Sequence, residues 1–151
     1  MSLADDAVEA RAQGWRTLAA LHARIEDKLE RALQRDHDLS VSEYSVLDAL
    51  GRQDGFHLRM NQLSTAVVLS HSATTRLVSR LEERGLLERY LCPTDRRGIY
   101  TEVTSAGQKL LAAARPTNDE ALAEALTEAE ELPELAPLVG ALSKLAYLAK
   151  V

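Results

Sequence analysis

The 151-residue sequence has few cysteines, few aromatic residues and no long apolar run. Its single cysteine, Cys92, excludes an intrachain disulfide framework, so we expect an intracellular, cytoplasmic protein. The longest apolar runs span only a few residues, as at residues 66–69, and are far shorter than a membrane-spanning helix. The acidic start, with Asp5, Asp6 and Glu9, is the opposite of the basic head of a signal peptide. We therefore expect neither secretion nor a membrane partner.

Signatures of catalysis and of metal binding are also missing. The sequence has no glycine-rich phosphate loop with a lysine, no His-Glu-x-x-His and no Gly-x-Ser-x-Gly. Its seven glycines leave little material for a cofactor loop. The histidines are scattered and lack the short spacing of tetrahedral metal sites; they are His22, His37, His57 and His71. We therefore expect no enzyme activity, no cofactor and no metal site.

Charge is distributed unevenly along a chain whose net charge is −5. Apolar residues make up 46% of the sequence and charged residues 27%, which is typical of one globular domain. Residues 58–101 hold seven arginines and four acidic residues, a net charge of +3, whereas residues 1–57 and 102–151 each carry −4. A basic middle segment between two acidic ends is typical of a chain that contacts nucleic acid through that segment. A segment of this length also reaches a net charge of +3 by chance, so charge alone does not establish contact with nucleic acid.

Helical patterns dominate both ends of the chain. Between residues 8 and 35, apolar or half-polar residues recur in steps of three and four, which predicts a long helix with a packing seam. Residues 40–43 match a capping box that opens a second helix, and residues 61–68 predict a brief third one. Thr104 is predicted to cap a further helix that Pro116 kinks or interrupts.

The middle of the chain predicts a helix followed by a hairpin. Ser70 is a plausible N-cap for a helix over residues 71–84, and Gly85 suits its end. The side chains predicted to face inward are Thr74, Leu77, Val78 and Leu81. Strand-like runs at residues 86–91 and 98–103 flank a turn that contains Pro and Asp.

This order of elements predicts a mainly α fold with a small β-hairpin wing. Two short helices followed by a hairpin form a winged helix-turn-helix domain, which we assign to residues 39–104. Residues 1–38 and 105–151 have more apolar face than a small domain covers, and they predict a helical dimerisation lobe. A two-fold dimer places two recognition helices about one DNA turn apart, on a pseudo-palindromic site. The alternative is a monomer in which both ends fold back onto the same core.

Residues suited to DNA contact lie on the predicted recognition helix and on the hairpin. The outward side chains of the helix are short polar groups and one long cation: His71, Ser72, Thr75, Arg76 and Ser79. Arg96 and Arg97 project from the turn and suit a minor groove, while Asp95 is predicted to pair with an arginine and hold the shape of the tip. The alternatives are an ordinary solvated surface, or a winged helix used for protein–protein contacts.

Several stretches together resemble the MarR family, the multiple antibiotic resistance regulators. They are residues 58–63, 69–86, 92–98 and 103–107. The resemblance implies a homodimeric repressor that binds double-stranded DNA at a palindromic operator, in many members released by a small aromatic or phenolic ligand. It further implies that Asp95, Arg96 and Arg97 form the DNA-binding wing. The recognition-helix residues that it implies are Ser70, His71, Ser72, Thr74, Thr75 and Arg76.

The signal to which such a regulator responds is less well marked in the sequence. Trp15, His22 and Tyr44 combine aromatic walls with polar groups and are candidates to line an effector pocket. The simpler interpretation of Trp15, which we favour, is that it belongs to the dimer core. Cys92 lies near arginines, which lower thiol pKa values, so a redox-responsive regulator is a further alternative.

Overall fold

The computed structural model describes residues 2–92, 94 and 98–148. The described part is mostly helical and contains a three-stranded antiparallel sheet, as the sequence predicts for a winged helix. The helices are α1 Leu3–His37, α2 Val41–Gly51, α3 Met60–Ala66, α4 His71–Glu83, α5 Ser105–Glu130 and α6 Ala136–Leu148. The strands are β1 His57–Arg59, β2 Leu87–Leu91 and β3 Ile99–Val103, and a short 3₁₀ turn, Asp54–Phe56, precedes β1.

The chain divides into two compact units. The central unit comprises Ala32–Asn118, and the terminal unit combines Met1–Arg31 with Asp119–Val151. The division by role made from the sequence, 39–104 for DNA binding and 1–38 with 105–151 for dimerisation, stays a prediction because compactness does not test it.

Local sequence signals set the helices of the central unit. Ser40 caps α2 in a full capping box, in which its hydroxyl accepts from the N–H of Glu43 and the Glu43 carboxylate accepts from the N–H of Ser40. The Ser70 hydroxyl accepts from the N–H of Ala73 and caps α4. Gly85 follows α4 with φ +74°, a left-handed conformation that glycine adopts without steric cost. These predictions are confirmed.

The sheet has the order β1-β3-β2, so the third strand in the chain lies in the middle. The hairpin of β2 and β3 pairs Leu87 with Val103 at its base and Leu91 with Ile99 near its tip. The segment before α3 supplies the third strand by pairing with β3. That partner is distant in sequence, and no local pattern identifies it.

The terminal unit has a small apolar core of its own. Fully buried or nearly buried side chains from α1, α5 and the segment around α6 form it: Leu21, Ala129, Leu135 and Val139. At its surface the Lys28 ammonium lies 2.7 Å from the Glu128 carboxylate and 3.5 Å from that of Glu124. The hydrogen bond to Glu128 raises the pKa of Lys28 and lowers that of Glu128.

α5 runs through Pro116, so the expected interruption of the helix there is wrong, and the alternative of a kink stays a prediction. A proline removes one backbone hydrogen bond and crowds the preceding turn, which favours a break. Side chains buried on both sides of Pro116, Leu111 and Ala114 before it and Ala121 and Ala125 after it, keep the helical spacing. Packing therefore outweighs the local preference of proline.

The glycine at position 107 is required by a close approach of the start of α5 to the residue before β2 and to the end of β3. A Cβ there would collide with the carbonyl oxygen of Leu86 and lie 2.6 Å from Cγ1 of Val103. We expect Gly107→Ala to lower the free energy of unfolding by about 1–3 kcal/mol, because neither backbone nor buried valine has room to move. Urea unfolding monitored by circular dichroism measures the change.

Gly14, within α1, is the matched control. A Cβ at Gly14 meets no described atom within 4 Å, so Gly14→Ala is expected to add about 1 kcal/mol through helix propensity alone. Equal effects of the two substitutions would show that the packing at Gly107 is not as described.

Candidate nucleic-acid interface

α4 presents one buried face and one polar face. Its buried face consists of four side chains at helical spacing: Thr74, Leu77, Val78 and Leu81. His71, Ser72, Arg76 and Arg80 are exposed, and Thr75 is half-buried beside them. The exposed residues Ser72, Arg76 and Arg80 follow one another at intervals of four, so they form one ridge along the helix. This ridge carries hydroxyl and guanidinium groups and is the candidate interface.

Thr74 is a correction to the set implied by the family resemblance. Its side chain is 0% exposed, and its hydroxyl donates to the carbonyl oxygen of Ser70 at 2.9 Å. It is therefore part of the core and cannot contact a partner of the outer face. The Thr75 hydroxyl donates to the His71 carbonyl, and its oxygen keeps acceptor capacity.

Three arginines of the basic segment are tied to the central unit itself. The Arg84 guanidinium donates to the Asp38 carbonyl at 2.8 Å and lies 3.5 Å from the Glu43 carboxylate. Arg59 donates to the Tyr100 hydroxyl and stacks over its ring at 5.6 Å. Arg89 bonds to the Ser79 and Glu82 side chains of α4.

Arg76 and Arg80 differ from these three arginines. Within the described residues, neither guanidinium forms a hydrogen bond or an ion pair. An exposed cation without an intramolecular counter-charge is available to an anionic partner without breaking any internal contact. The outer ridge of α4 thus holds two such cations one helical turn apart.

Arg89 braces the hairpin against α4. Its guanidinium lies 2.9 Å from Oε1 of Glu82 and donates to the Ser79 hydroxyl at 3.3 Å, while its backbone N–H donates to Oε2 of Glu82 at 3.1 Å. The hydrogen bond from Arg89 lowers the pKa of Glu82, and the same bond raises the pKa of Arg89. This contact joins β2 to the C-terminal part of α4 and occupies Ser79, which the sequence placed among the outward residues.

The tip of the hairpin lies outside the described residues at three of its predicted positions. These positions are Asp95, Arg96 and Arg97, and their assignment to the wing stays a prediction. The described strands end in the exposed cross-strand pair Leu91 and Ile99.

Charge differs between the two units of the chain. The central unit has eleven basic and ten acidic side chains, a net charge of +1, whereas the terminal unit has seven basic and thirteen acidic ones, a net charge of −6. The unit that contains α4 is therefore the better candidate for contact with a polyanion.

The three residues considered for an effector pocket occur in different surroundings. Trp15 is 69% exposed on α1 in the terminal unit. His22, in the same helix, is exposed and lies 3.5 Å from the Glu26 carboxylate. Tyr44 belongs to the central unit, where it is buried and lines a surface cavity between α2 and α3.

Cys92, the residue of the redox alternative, follows β2. Its thiol is buried, and its Sγ atom lies 3.2 Å from the Thr94 hydroxyl. The neighbouring Arg89 is engaged with Glu82, which reduces the positive charge that would activate the thiol.

The sequence pattern did not identify one residue of the interface, Arg80, nor the cavity beside Tyr44. Arg80 lies four residues beyond Arg76, a spacing that identifies it as a neighbour on the same ridge once the helix is known. The cavity lined by Tyr44 lies between α2 and α3. Its shape depends on how the two helices pack, and local sequence patterns do not predict that packing.

The described ranges contain neither a metal-ion cluster nor a helix that could span a membrane. No group of three or more histidine, cysteine, aspartate or glutamate side chains is placed there to hold a metal ion. Among the same residues, no helix is both long and apolar enough to cross a bilayer.

Comparison with known proteins places these features in a family. The profile of the MarR family matches residues 37–98, a range that includes α2, α3, α4 and β2. The transcriptional regulator HosA of Escherichia coli O111:H- is 33% identical over 82 residues, which cover 54% of this chain and 59% of HosA. The chain thus spans about six-tenths of the length of that curated relative.

Two solved structures extend the similarity over more of the chain. Sco3205, a MarR family transcriptional regulator from Streptomyces coelicolor in complex with DNA, has a TM-score of 0.73 and 28% identity, covering 88% of this chain and 82% of its own. CouR from Rhodococcus jostii RHA1, bound to p-coumaroyl-CoA, has a TM-score of 0.63 and 31% identity, covering 69% and 71%. The fold and these similarities define the class of this protein, which is the winged-helix transcriptional regulators. The chain belongs to the MarR family.

The brace between Arg89 and Glu82 has a measurable electrostatic consequence. We expect the pKa of Glu82 to lie below its usual value of 4.5 and to rise toward it in Arg89→Gln, because the charge-assisted hydrogen bond is then lost. Since folding lowers this pKa, the stabilisation is present above pH 4.5 and is lost as the pH falls through the folded value. Carbon-13 NMR titration of the side-chain carboxyl measures both values. Identical values in the two proteins would contradict the brace.

Proposed function

We propose that the protein is a homodimeric transcriptional regulator that binds double-stranded DNA through the outer ridge of α4 and acts as a repressor. The observation that carries the proposal is the ridge itself, in which Arg76 and Arg80 lack an intramolecular counter-charge within the described residues. A DNA-bound structure of Sco3205, at 28% identity, supports DNA as the partner. Because the proposed partner is DNA, we expect the protein to lie in the cytoplasm.

The chemistry of the ridge matches the major groove. The groove is about 12 Å wide and accepts one α-helix, whose N-terminal residues reach the base edges. In this arrangement His71, Ser72 and Thr75 offer short donors and acceptors. Arg76 reaches a guanine edge or a phosphate, and Arg80, one turn later, reaches the phosphate backbone. Ser70 contributes mainly as the cap that fixes the start of the helix.

The wing supplies the second contact in this proposal. Arg96 and Arg97 follow β2 and Cys92 in the chain, and arginine is favoured in the negative potential of a narrow minor groove. Asp95 would be repelled by DNA, so its proposed role is to pair with an arginine of the tip.

The terminal unit supplies the dimer interface. Exposed apolar side chains lie along α1 and on α6: Val8, Trp15, Leu18, Leu142 and Leu145. Such residues on helices of a small unit are stabilised by burial against a second copy. Two-fold symmetry then places two α4 helices against the half-sites of a pseudo-palindromic operator.

A small organic ligand is the proposed release signal. CouR is bound to p-coumaroyl-CoA, a phenolic thioester, at 31% identity to this chain. A ligand that prefers a conformation with displaced α4 helices lowers operator affinity by population shift. The buried thiol of Cys92 makes the redox alternative the weaker one.

Replacing Arg76 tests the interface. We expect Arg76→Ala to weaken operator binding about tenfold and to lower the salt slope by about 1 if the contact is to phosphate, or to relax base preference at one position if it is to guanine. Fluorescence anisotropy across a salt series measures both effects. Arg97→Ala is expected to weaken binding on all sequences alike.

Arg31→Ala is the control for Arg76→Ala, since it removes the same charge. Arg31 is an exposed residue of the terminal unit that pairs with Asp27 at 2.8 Å, and its loss should change affinity less than twofold, about 0.4 kcal/mol. Equal losses in both variants would mean that net charge, not the α4 ridge, governs binding. Salt-independent binding to a protein partner would instead favour the protein-contact alternative.

Trp15 reports on the dimer, because it is the single tryptophan of the chain. We expect its emission to shift to shorter wavelength as protein concentration rises, since association buries the exposed ring. Trp15→Glu should convert the dimer to a 16.6 kDa monomer in sedimentation, whereas Gln13→Glu, on another face of α1, should not. A wild-type monomer at micromolar concentration would contradict the proposed dimer.

A further inference from the structure

The two strands of the hairpin end in an exposed apolar pair, Leu91 and Ile99. Leu91 on β2 lies opposite Ile99 on β3, and the two side chains are 61% and 47% exposed. Just beyond them, the Cys92 N–H donates to the Gly98 carbonyl at 3.0 Å, so the strands stay paired past this point. Exposed apolar side chains that lie together indicate contact with a partner better than scattered ones do.

The apolar pair lies on the face of the hairpin that is turned toward α4. Side chains two positions apart in a strand share a face. Leu91 therefore shares a face with Arg89, whose guanidinium donates to the Ser79 hydroxyl of α4. Ile99, as the cross-strand partner of Leu91, lies on the same face. Because Leu91 is nevertheless exposed, the apolar pair extends past the part of this face that α4 covers.

β2 runs back along α4, which brings the apolar pair to the level of the outer ridge. The Leu86 N–H donates to the Leu81 carbonyl where the chain reverses. Three residues later, Arg89 reaches Ser79. Two further residues of strand advance about 7 Å, which equals about four to five residues of helix. Measured back from Ser79, that distance ends in the turn of α4 that contains Arg76, so a molecule lying along the ridge adjoins the apolar pair.

The surroundings of the apolar pair favour the sugar of a nucleic-acid strand over its phosphate. A shallow groove of about 320 Å³ adjoins the pair and is lined by Arg89, Tyr90, Leu91 and Ile99. The one cation of this described lining, Arg89, is already paired with the Glu82 carboxylate at 2.9 Å. A phosphate in the groove would compete with that carboxylate, whereas the C–H groups of deoxyribose fit an apolar wall.

We propose that Leu91 and Ile99 bind the deoxyribose of the DNA strand that runs beside the α4 ridge, and that this sugar contact discriminates deoxyribose from ribose. Its affinity comes from apolar burial, so it releases no counterions and does not depend on salt. A ribose at the same place would bury its 2′-hydroxyl against two hydrocarbon side chains without a hydrogen-bond partner, which is unfavourable. The sugar contact requires α4 to lie against DNA, and so it rests on the proposed function.

Threonine substitutions remove the apolar surface and keep the strands. We expect Leu91→Thr and Ile99→Thr each to weaken binding to the intergenic DNA upstream of the gene about fivefold, because threonine favours strands but has little apolar area. The slope of log affinity against log salt should stay unchanged, unlike in Arg76→Ala. Fluorescence anisotropy across a salt series measures both, and circular dichroism verifies folding. A changed slope, or affinity equal to that of the wild type, would overturn the sugar contact.

Leu3→Thr is the matched control. Leu3 is 90% exposed on α1 in the terminal unit, and its replacement should leave DNA affinity unchanged. Equal losses of affinity in Leu3→Thr and Leu91→Thr would overturn the location of the contact. A change in the sedimentation coefficient of Leu91→Thr without DNA would mean that the apolar pair covers a second copy of the chain, and it would also overturn the sugar contact.

Single ribonucleotides test the discrimination between sugars. Each deoxynucleotide of the bound half-site is replaced in turn by its ribonucleotide, and we expect wild-type affinity to fall at least threefold at one or two positions. The loss should disappear in Leu91→Thr, because the threonine hydroxyl can hydrogen-bond with the 2′-hydroxyl, and should persist in Leu3→Thr. No loss at any position, or the same loss in Leu91→Thr as in the wild type, would overturn the discrimination.

Failure of the sugar contact and failure of the proposed function give different results. A wild-type protein that does not distinguish the intergenic duplex from a scrambled one overturns the proposed function, and the sugar contact with it. Sequence-specific binding that Arg76→Ala weakens and Leu91→Thr leaves unchanged overturns the sugar contact alone.

Discussion

Burial of one face of α4 is the constraint on which the rest of the central unit depends. Thr74, Leu77, Val78 and Leu81 fix the rotation of the helix about its axis, because all four must leave water together. With that rotation set, Arg76 and Arg80 can only point outward. The hydroxyl of Thr74, satisfied within the helix, lets a polar residue share the buried face without an unpaired group.

Ion pairs and hydrogen bonds within the central unit then determine which arginines are available to contact DNA. Arg84 and Arg89 connect α4 and the hairpin to their surroundings, and Arg59 stacks on the sheet. These contacts consume three of the seven arginines that make the middle of the sequence basic. Of the other four, Arg96 and Arg97 lie outside the described residues, and Arg76 and Arg80 lie on the outer ridge of α4, so a central unit with a net charge of only +1 still has a concentrated cationic surface. Position, more than net charge, supports the proposed DNA contact.

Local signals in the sequence predicted most of the central unit, and long-range packing accounts for what they missed. The capping box at Ser40, the cap at Ser70 and the turn at Gly85 depend on neighbours within four residues, so they are visible in the sequence. The continuity of α5 through Pro116 depends on side chains buried along its length. The pairing of β1 with β3 joins residues more than forty positions apart. The cavity beside Tyr44 exists only once α2 and α3 have packed.

The central claim is that the protein binds a specific DNA sequence, and binding of the wild-type protein to two duplexes tests it most directly. One duplex is the intergenic DNA upstream of its own gene, and the other is a scrambled duplex of the same composition. The account predicts nanomolar affinity for the first, weaker binding to the second, and affinity that falls steeply as salt rises, because cations of the α4 ridge release counterions. Equal affinity for both duplexes at every salt concentration would contradict it.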